Sequence, residues 1–380
     1  MDRFKPYRDQ LDALDKAGRK RRLLIPAGKD FSSNDYLGLS RSPYLKEVAQ
    51  AAIAGGMAHG SGGSRLLGGN HPEHEALEAF AASHYGAEAS LFFGSGFAAN
   101  TALFATLPQT GDLVLYDALV HASVHDGMKL GRAAFQPFAH SDCNALEQAI
   151  RSWRQSGGPG TVWIAVESLY SMDGDRAPLS DLAQIANTHD AMLVIDEAHA
   201  VGVFGEGGSG LAGPIGRQEN AILLRTCGKA LGGEGGILTM PKILREFFIN
   251  RARPFIFSTA PSPLTAHLAQ QAIVHVADNP ALQTALADHI ALAQSCFAGL
   301  SLGEHQDSQI FPVILGDDRL AVSVATRLQD QGYDVRAIRP PTVPAGSARL
   351  RISLTLNVTQ EDIRNLAAAL HEALAQAEAA

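Results

Sequence analysis

The sequence is poor in cysteine. Its three cysteines, Cys143, Cys227 and Cys296, lie far apart among 380 residues. Their spacing matches neither a disulfide framework nor a metal-binding motif. We interpret Cys227 as a packing residue rather than a nucleophile. So few thiols are typical of a reducing compartment, and the first residues lack the apolar stretch of a secretory signal. We therefore expect a cytoplasmic protein.

Excess positive charge and long apolar runs are also missing. The sequence has 31 Lys and Arg residues and 39 Asp and Glu residues, which gives a formal net charge of −8. This balance argues against nucleic acid as a partner, because nonspecific binding requires neutralisation of phosphates. No apolar run approaches the roughly 20 residues that cross a bilayer, so we expect no membrane association. The hydrophobic content of 46% predicts an ordinary globular core.

Several catalytic signatures are absent as well. The sequence has no G-x-x-x-x-G-K-[ST] loop, so residues 196–199 (DEAH) do not belong to a helicase. Residues 71–75 (HPEHE) look metal-like but are not H-E-x-x-H, and Pro72 suits the first turn of a helix. We predict no metal site.

Short apolar runs alternate with helical periodicity over residues 46–250. Runs that are apolar on both faces are typical of parallel strands covered by helices. This pattern predicts an α/β domain with a mostly parallel sheet and a ligand site at the carboxyl ends of its strands. The predicted strands are 89–93, 113–116, 161–166, 192–195, 221–224 and 236–239.

The pattern changes after Pro261. A long helix is predicted over residues 262–300, followed by strands at 310–315, 333–338 and 349–354 and by a helix from Gln360. These elements indicate a smaller α+β domain. We therefore expect an N-terminal segment (1–40) that includes a solvated helix, a large domain (41–285) and a small C-terminal domain (286–380).

Residues 94–99 (GSGFAA) follow a predicted strand and open a helix. They satisfy the G-x-G-x-x-G/A dinucleotide pattern, and Asp117 lies about 20 residues on, where a ribose-binding acid is expected. Backbone N–H groups at such a helix start face a phosphate. A NAD-dependent dehydrogenase is one hypothesis at this point.

Three other residues favour different chemistry. Asp196 ends a predicted strand and suits a carboxylate that pairs with a protonated ring nitrogen. Lys229, in a glycine-rich segment, is either a surface lysine or a Schiff-base lysine. His121 follows another strand end, where its ring is able to stack on a planar cofactor. Pyridoxal phosphate uses all of these parts, whereas a dehydrogenase leaves Asp196, His199 and Lys229 unexplained.

Six motifs resemble the α-oxoamine synthases in their order along the chain. These are fold-type I pyridoxal-phosphate enzymes that condense an acyl thioester with an amino acid and release CO2, and the resemblance covers about residues 30–375. The motifs are 31–39 (FSSNDYLGL), 60–65 (GSGGSR), 94–100 (GSGFAAN), 167–175 (ESLYSMDGD), 196–199 (DEAH) and 226–229 (TCGK).

Residues 338–353 (IRPPTVPAGSARLRIS) look most like the biotin-pathway member of this family. The resemblance implies L-alanine and a pimeloyl thioester, carried by coenzyme A or by a carrier protein, as substrates. A relative that uses glycine or serine, and an inactive partner subunit, are the alternatives within the family.

The resemblance also implies roles for single residues. Lys229 would hold pyridoxal 5'-phosphate and move the substrate α-proton, while Asp196 would pair with the ring nitrogen. His199 would bond the phenolic oxygen, and His121 would stack on the ring. The remaining cofactor contacts would be Gly96, Phe97, Ser171 and Thr226, together with Ser258 and Thr259 from the neighbouring subunit of a homodimer.

Substrate contacts follow in the same way. Arg351 and Asn34 would hold the amino-acid carboxylate, for which the arginine fork is suited. Thr342 would contact the acyl substrate. The family also has an arginine that contacts the acyl substrate. Arg19, Arg21 and Arg22 are the candidates for this position, and we assign it to Arg21. The segment between Arg22 and Phe31 is shorter than the family pattern, which has a small β-hairpin there.

Overall fold

The computed structural model describes residues 2–300 and 307–378. Its strands, numbered in chain order, are β1 (Lys29–Asp30), β2 (Ala89–Phe93), β3 (Leu113–Asp117), β4 (Ala134–Phe138), β5 (Val162–Glu167), β6 (Met192–Asp196), β7 (Ala221–Thr226), β8 (Gly236–Met240), β9 (Ile310–Gly316), β10 (Tyr333–Asp334), β11 (Arg336–Ile338) and β12 (Ala348–Ser353).

The helices are numbered in the same way. They are α1 (Lys5–Lys16), α2 (Pro43–Ala54), α3 (Pro72–Tyr85), α4 (Gly96–Thr106), α5 (Ala122–Leu130), α6 (Cys143–Gln155), α7 (Leu179–Thr188), α8 (Lys242–Arg251), α9 (Arg253–Ile256), α10 (Pro263–Asp278), α11 (Pro280–Cys296), α12 (Asp318–Asp330) and α13 (Gln360–Glu378). None of these helices is long and apolar enough to cross a membrane.

The chain divides into two compact units, of which the larger comprises residues 34–171 and 175–285. Its seven strands lie in the order β2-β8-β7-β6-β5-β3-β4. The predicted α/β class with a mostly parallel sheet is confirmed. One strand departs from the parallel arrangement, because β8 runs antiparallel to both β2 and β7.

Side chains of the central strands alternate between two apolar layers, one on each face of the sheet. On β6, Val194 packs in one layer, while Leu193 and Ile195 pack in the other. Both faces are therefore buried, as the apolar runs predict. The edge strand β4 was missed because four of its residues are exposed, so it carries no buried run.

The smaller unit comprises residues up to Ser33, residues 172–174 and the chain from Leu286. An antiparallel sheet in the order β11-β12-β9 forms its centre. Residues 301–306 and the outermost terminal residues, which the expected domains include, lie outside the described part of the chain. The solvated N-terminal helix is confirmed by α1, which buries no residue.

The structure divides the N-terminal 40 residues differently from the expected separate segment. Residues up to Ser33 join the smaller unit, because β1 pairs with β10 and the Ser353 N–H donates to the Phe31 carbonyl at 2.9 Å. Residues from Asn34 onward belong to the larger unit.

Two predicted elements are split in the structure. The helix expected over 262–300 breaks between α10 and α11. Pro280 has no N–H to donate to the preceding turn and its ring clashes with that turn, so a new helix begins there. The strand expected over 333–338 becomes β10 and β11, which pair with different strands.

Candidate active site

The carboxyl edge of the larger sheet forms a pocket. Asp196 ends β6, Glu167 ends β5 and Thr226 ends β7, so three polar side chains follow neighbouring strands. The sequence-predicted residues that line this pocket are Gly96, Phe97, His121, Asp196, His199, Thr226 and Lys229. Most of the cofactor residues named from the sequence therefore converge on one site.

Asp196 is buried, and both of its carboxylate oxygens accept hydrogen bonds. Asn100 Nδ2 on α4 donates to Oδ2 at 2.8 Å, and the Ala198 N–H donates to Oδ1 at 2.9 Å. These donors offset part of the cost of burying a carboxylate and fix its direction. Asn100 had been given no role from the sequence, although it ends the 94–100 motif.

The start of α4 lies against strands β7 and β8. Ser95 caps the helix by accepting the Ala98 N–H at 3.0 Å. A Cβ on Gly236 would come within 2.8 Å of the Gly96 nitrogen, so β8 requires glycine at this approach. Thr226 Oγ1 donates to the Gly235 carbonyl at 3.1 Å. This corner combines a helix N-terminus with a hydroxyl, which suits a phosphate.

His121 is linked to Asp196 through other polar groups. Its Nδ1 lies 2.8 Å from Ser123 Oγ, which also accepts a 3.0 Å hydrogen bond from Asn100 Nδ2. Burial lowers the pKa of His121; the charge of Asp196 opposes this shift and that of Lys229 adds to it. Burial therefore favours the uncharged ring.

His199 is held by residues of the 31–39 motif. Its Nδ1 lies 2.6 Å from the Tyr36 hydroxyl, and that hydroxyl donates to Asn34 Oδ1 at 3.0 Å. Asn34 and Tyr36 both come from the 31–39 motif. Tyr36 thus connects Asn34, which is expected to bind the substrate, to His199, which is expected to bind the cofactor.

Glu167 lines the same pocket and was missed by the sequence reasoning. Burial, reinforced by the charge of Asp196, raises the pKa of this carboxyl well above its usual range. The Ser171 N–H donates to its Oε2 at 3.2 Å, so Ser171 contacts a pocket residue without lining the pocket. Its position in the sequence could have indicated a site residue, because Glu167, like Asp196, is an acid at the end of a predicted strand.

The other predicted residues lie elsewhere. Thr259 pairs with Ser64 in an isolated bridge, and neither it nor Ser258 lines the pocket. In the smaller unit, Arg21 Nη2 donates to Thr342 Oγ1 at 3.2 Å beside a cavity that both residues line.

Two further arginines of the smaller unit are already paired. Arg351 is buried and its Nη1 donates to Ser353 Oγ at 2.7 Å. Arg19, one of the two alternatives to Arg21, forms a 2.7 Å ion pair with Asp318.

The geometry of Asp117 is unfavourable for a dehydrogenase. Its carboxylate is fully buried and accepts hydrogen bonds from the backbone of Leu119 and Ser141 while lying 2.9 Å from His140. The oxygens expected to bind ribose hydroxyls are therefore occupied within the fold.

A family model described as aminotransferase class I and II matches residues 28–370. An 8-amino-7-oxononanoate synthase of Anaeromyxobacter dehalogenans is 40% identical over 362 residues, which cover 91% of this chain and 89% of that protein. The chain belongs to the 8-amino-7-oxononanoate synthase family, within the class I and II aminotransferases. The fold-type I resemblance and the pyridoxal-phosphate dependence predicted from the sequence are confirmed.

Solved structures agree with this family. A serine palmitoyltransferase from S. paucimobilis with bound PLP has a TM-score of 0.88 at 26% identity and covers 99% of this chain and 98% of its own. An 8-amino-7-oxononanoate synthase from Francisella tularensis has a TM-score of 0.76 at 26% identity, with coverage of 92% and 98%.

The donor set of the pocket fits pyridoxal phosphate. A buried carboxylate, a lysine and two imidazoles lie with a helix N-terminus and a threonine hydroxyl. Within the described part of the chain, Asn100 Oδ1 is buried without a hydrogen-bond partner, so the site retains an acceptor for a ligand.

Replacement of Glu167 by glutamine tests the electrostatics of the pocket. A carboxyl with a raised pKa stabilises the fold below its unfolded pKa, and this contribution is lost as the pH rises through the folded pKa. We expect E167Q to be at least as stable as wild type at pH 8, with an advantage that grows from pH 5 to pH 8. Urea unfolding of both proteins across this range measures the effect. An E167Q protein destabilised by more than about 2 kcal/mol at pH 8, the cost of a lost charged hydrogen bond, would contradict a neutral Glu167.

Proposed function

We propose that the protein condenses L-alanine with a pimeloyl thioester to form 8-amino-7-oxononanoate, CO2 and a free thiol. The observation that carries this proposal is the convergence of Lys229, Asp196, His121 and His199 on one pocket. It is supported by the name of the curated relative with 40% identity. Pyridoxal phosphate, when bound, supplies an electron sink for negative charge at the amino-acid α-carbon.

Lys229 Nζ both holds the cofactor and acts as the general base. It takes the α-proton of alanine and later returns a proton to the same carbon, because its amine is released next to that carbon when substrate binds. The amine must be neutral to accept this proton.

Asp196, His199 and His121 orient the cofactor. Asp196, oriented by Asn100, would accept from the ring nitrogen. His199, hydrogen-bonded to Tyr36, would bond the phenolic oxygen, and His121 would stack on the ring. The backbone N–H groups of Gly96 and Phe97, with Thr226, would bind the phosphate, and Ser171 would support the pocket through its hydrogen bond to Glu167.

The substrates are assigned to cationic residues. Arg351, with Asn34, binds the alanine carboxylate through its two-pronged guanidinium. Arg21 and Thr342 bind the acyl substrate, whose distal carboxylate complements the guanidinium of Arg21. Their mutual hydrogen bond keeps Arg21 directed at the cavity that both residues line.

Thiol release tests the substrate assignment. Purified protein with pyridoxal phosphate and pimeloyl-CoA receives alanine, glycine or serine, and product masses are recorded. We expect release with alanine alone and the mass of 8-amino-7-oxononanoate. Release with serine in place of alanine would contradict the alanine assignment and favour the amino acid in the name of the serine palmitoyltransferase neighbours. A parallel reaction with a pimeloyl carrier protein compares the two thioester sources.

The variant K229A belongs to the same experiment. We expect it to lose at least 10²–10⁴-fold in rate, the usual contribution of a general base. Borohydride reduction should attach the cofactor to the Lys229 peptide only in wild type. K242A, at an exposed lysine of α8, is the matched control and should behave as wild type. A reducible lysine adduct that persists in K229A would contradict the assignment.

We propose that the protein is a homodimer in which Ser258 and Thr259 reach the phosphate site of the partner. Thr259 is fixed by its bridge to Ser64. Next to this bridge, Leu67 is 83% exposed and Phe257 is 71% exposed. Large exposed apolar side chains on the two segments of one bridge are typical of a protein contact surface, so we take this face to be the one that a second copy would cover.

Charge in this patch tests the dimer. We expect L67E to shift the protein from dimer to monomer in analytical ultracentrifugation, because burial of a carboxylate is unfavourable. The monomer should also bind pyridoxal phosphate more weakly, since it lacks the partner's Ser258 and Thr259. I243E, at a 69% exposed position on α8, should remain dimeric. An L67E protein that stays dimeric with unchanged cofactor affinity would contradict this interface.

A further inference from the structure

His140 lies beyond the residues that line the pocket, just after β4, between two carboxylates. Its Nδ1 is 2.9 Å from Asp117 Oδ1, and its Nε2 is 2.8 Å from Asp175 Oδ2. An ionised carboxylate only accepts hydrogen bonds. Both ring nitrogens must therefore donate, which makes His140 a cation.

Asp117 connects this cation to the loop that carries His121. It is the last residue of β3, and its Oδ1 also accepts the Leu119 N–H at 2.9 Å. Its Oδ2 accepts the Ser141 N–H at 2.8 Å. Burial favours the neutral form of Asp117, but the hydrogen bonds from His140 and from these two backbone donors outweigh it and hold the pKa of Asp117 below its usual range.

Asp175 connects the same cation to the loop after β5. The Tyr170 N–H donates to the Asp175 carbonyl at 2.9 Å, which closes the loop that contains Ser171. The Tyr170 ring meets the His140 ring edge-to-face, with centroids 4.5 Å apart. Burial raises the pKa of Glu167, at the start of this loop, well above its usual range. The carboxylates in contact with His140 are those of Asp117 and Asp175.

The backbone next to His140 is strained. Ser141 has φ of 54°, a left-handed conformation that is uncommon for a residue other than glycine. It allows the His140 ring and the Ser141 N–H to reach the same carboxylate. Strain of this kind persists only where the surrounding structure imposes it.

We propose that His140 is a positioning residue whose imidazolium ring holds the His121 and Ser171 loops at the cofactor site. Burial favours the neutral ring, but the hydrogen bonds to Asp117 and Asp175 outweigh it and raise the pKa of His140 to about 10. The cation thus persists across the physiological range. This inference rests on the proposed function only in taking the pocket to be the pyridoxal-phosphate site.

The first test is the protonation state of His140 in the wild-type protein without cofactor. ¹⁵N NMR of histidine side chains, with His140 assigned by its absence in H140Q, should show both ring nitrogens protonated at pH 8. A neutral ring at pH 8 would overturn the proposal.

The second test is the affinity for pyridoxal phosphate and the visible circular dichroism of the bound cofactor. We expect H140Q to bind pyridoxal phosphate at least about tenfold more weakly, which is the usual effect of removing a residue that orients the groups in contact with a ligand. We also expect a change in the dichroism of the bound cofactor. H140Q/D175N should recover most of both properties, because glutamine and asparagine restore a charge-balanced bridge. A merely stabilising His140 would change the melting temperature without changing the dichroism.

H189Q is the matched control. His189 Nε2 also lies near a carboxylate, 3.0 Å from Glu147 Oε1, but its partner is on α6 and neither residue lines the pocket. This variant should keep wild-type affinity and dichroism. A folded H140Q protein with unchanged affinity and dichroism would overturn the proposal. Neither readout involves alanine or an acyl thioester, so failure of the substrate assignment would be seen separately in the thiol-release experiment.

Discussion

The buried carboxylate of Asp196 is the constraint on which the rest of the site depends. A carboxylate in the interior is tolerated only with hydrogen-bond donors, and Asn100 on α4 supplies one of them. That bond fixes α4 against the end of β6. The start of α4 at Gly96 is thereby brought to the same edge of the sheet. Asn100 also donates to Ser123, and Ser123 in turn is hydrogen-bonded to His121, so the position of His121 depends on the same residue.

The antiparallel strand β8 explains how Lys229 enters this pocket. Because β8 reverses the direction of β7, the segment that joins them returns across the carboxyl edge without a crossover helix. Lys229 lies in this segment, and Gly235 and Gly236 bring its far end against the start of α4. A parallel β8 would have required a connection that leaves the edge. The reversal therefore places Lys229 among groups contributed by parallel strands.

The sequence predicted the strands whose apolar residues are buried, and it predicted most of the pocket residues at the ends of these strands. β4 escaped because an exposed edge strand has no such run, and the direction of β8 depends on strand pairing that periodicity does not encode. Pro280 indicates a helix break in the sequence, but the prediction gave more weight to the alanine- and leucine-rich pattern around it and therefore joined the two helices. His140 could not be found this way, because its partners Asp117 and Asp175 meet it only through the tertiary fold.

The protonation state of the cofactor ring tests the central claim most directly. ¹⁵N NMR of the wild-type protein loaded with ring-¹⁵N pyridoxal phosphate reports on the atom that Asp196 is proposed to face. An oriented, buried carboxylate predicts a ring nitrogen that stays protonated at pH 8 in wild type and loses its proton in D196N. A deprotonated ring nitrogen in the wild-type protein would contradict the role of Asp196 and, with it, the arrangement of the site around that residue.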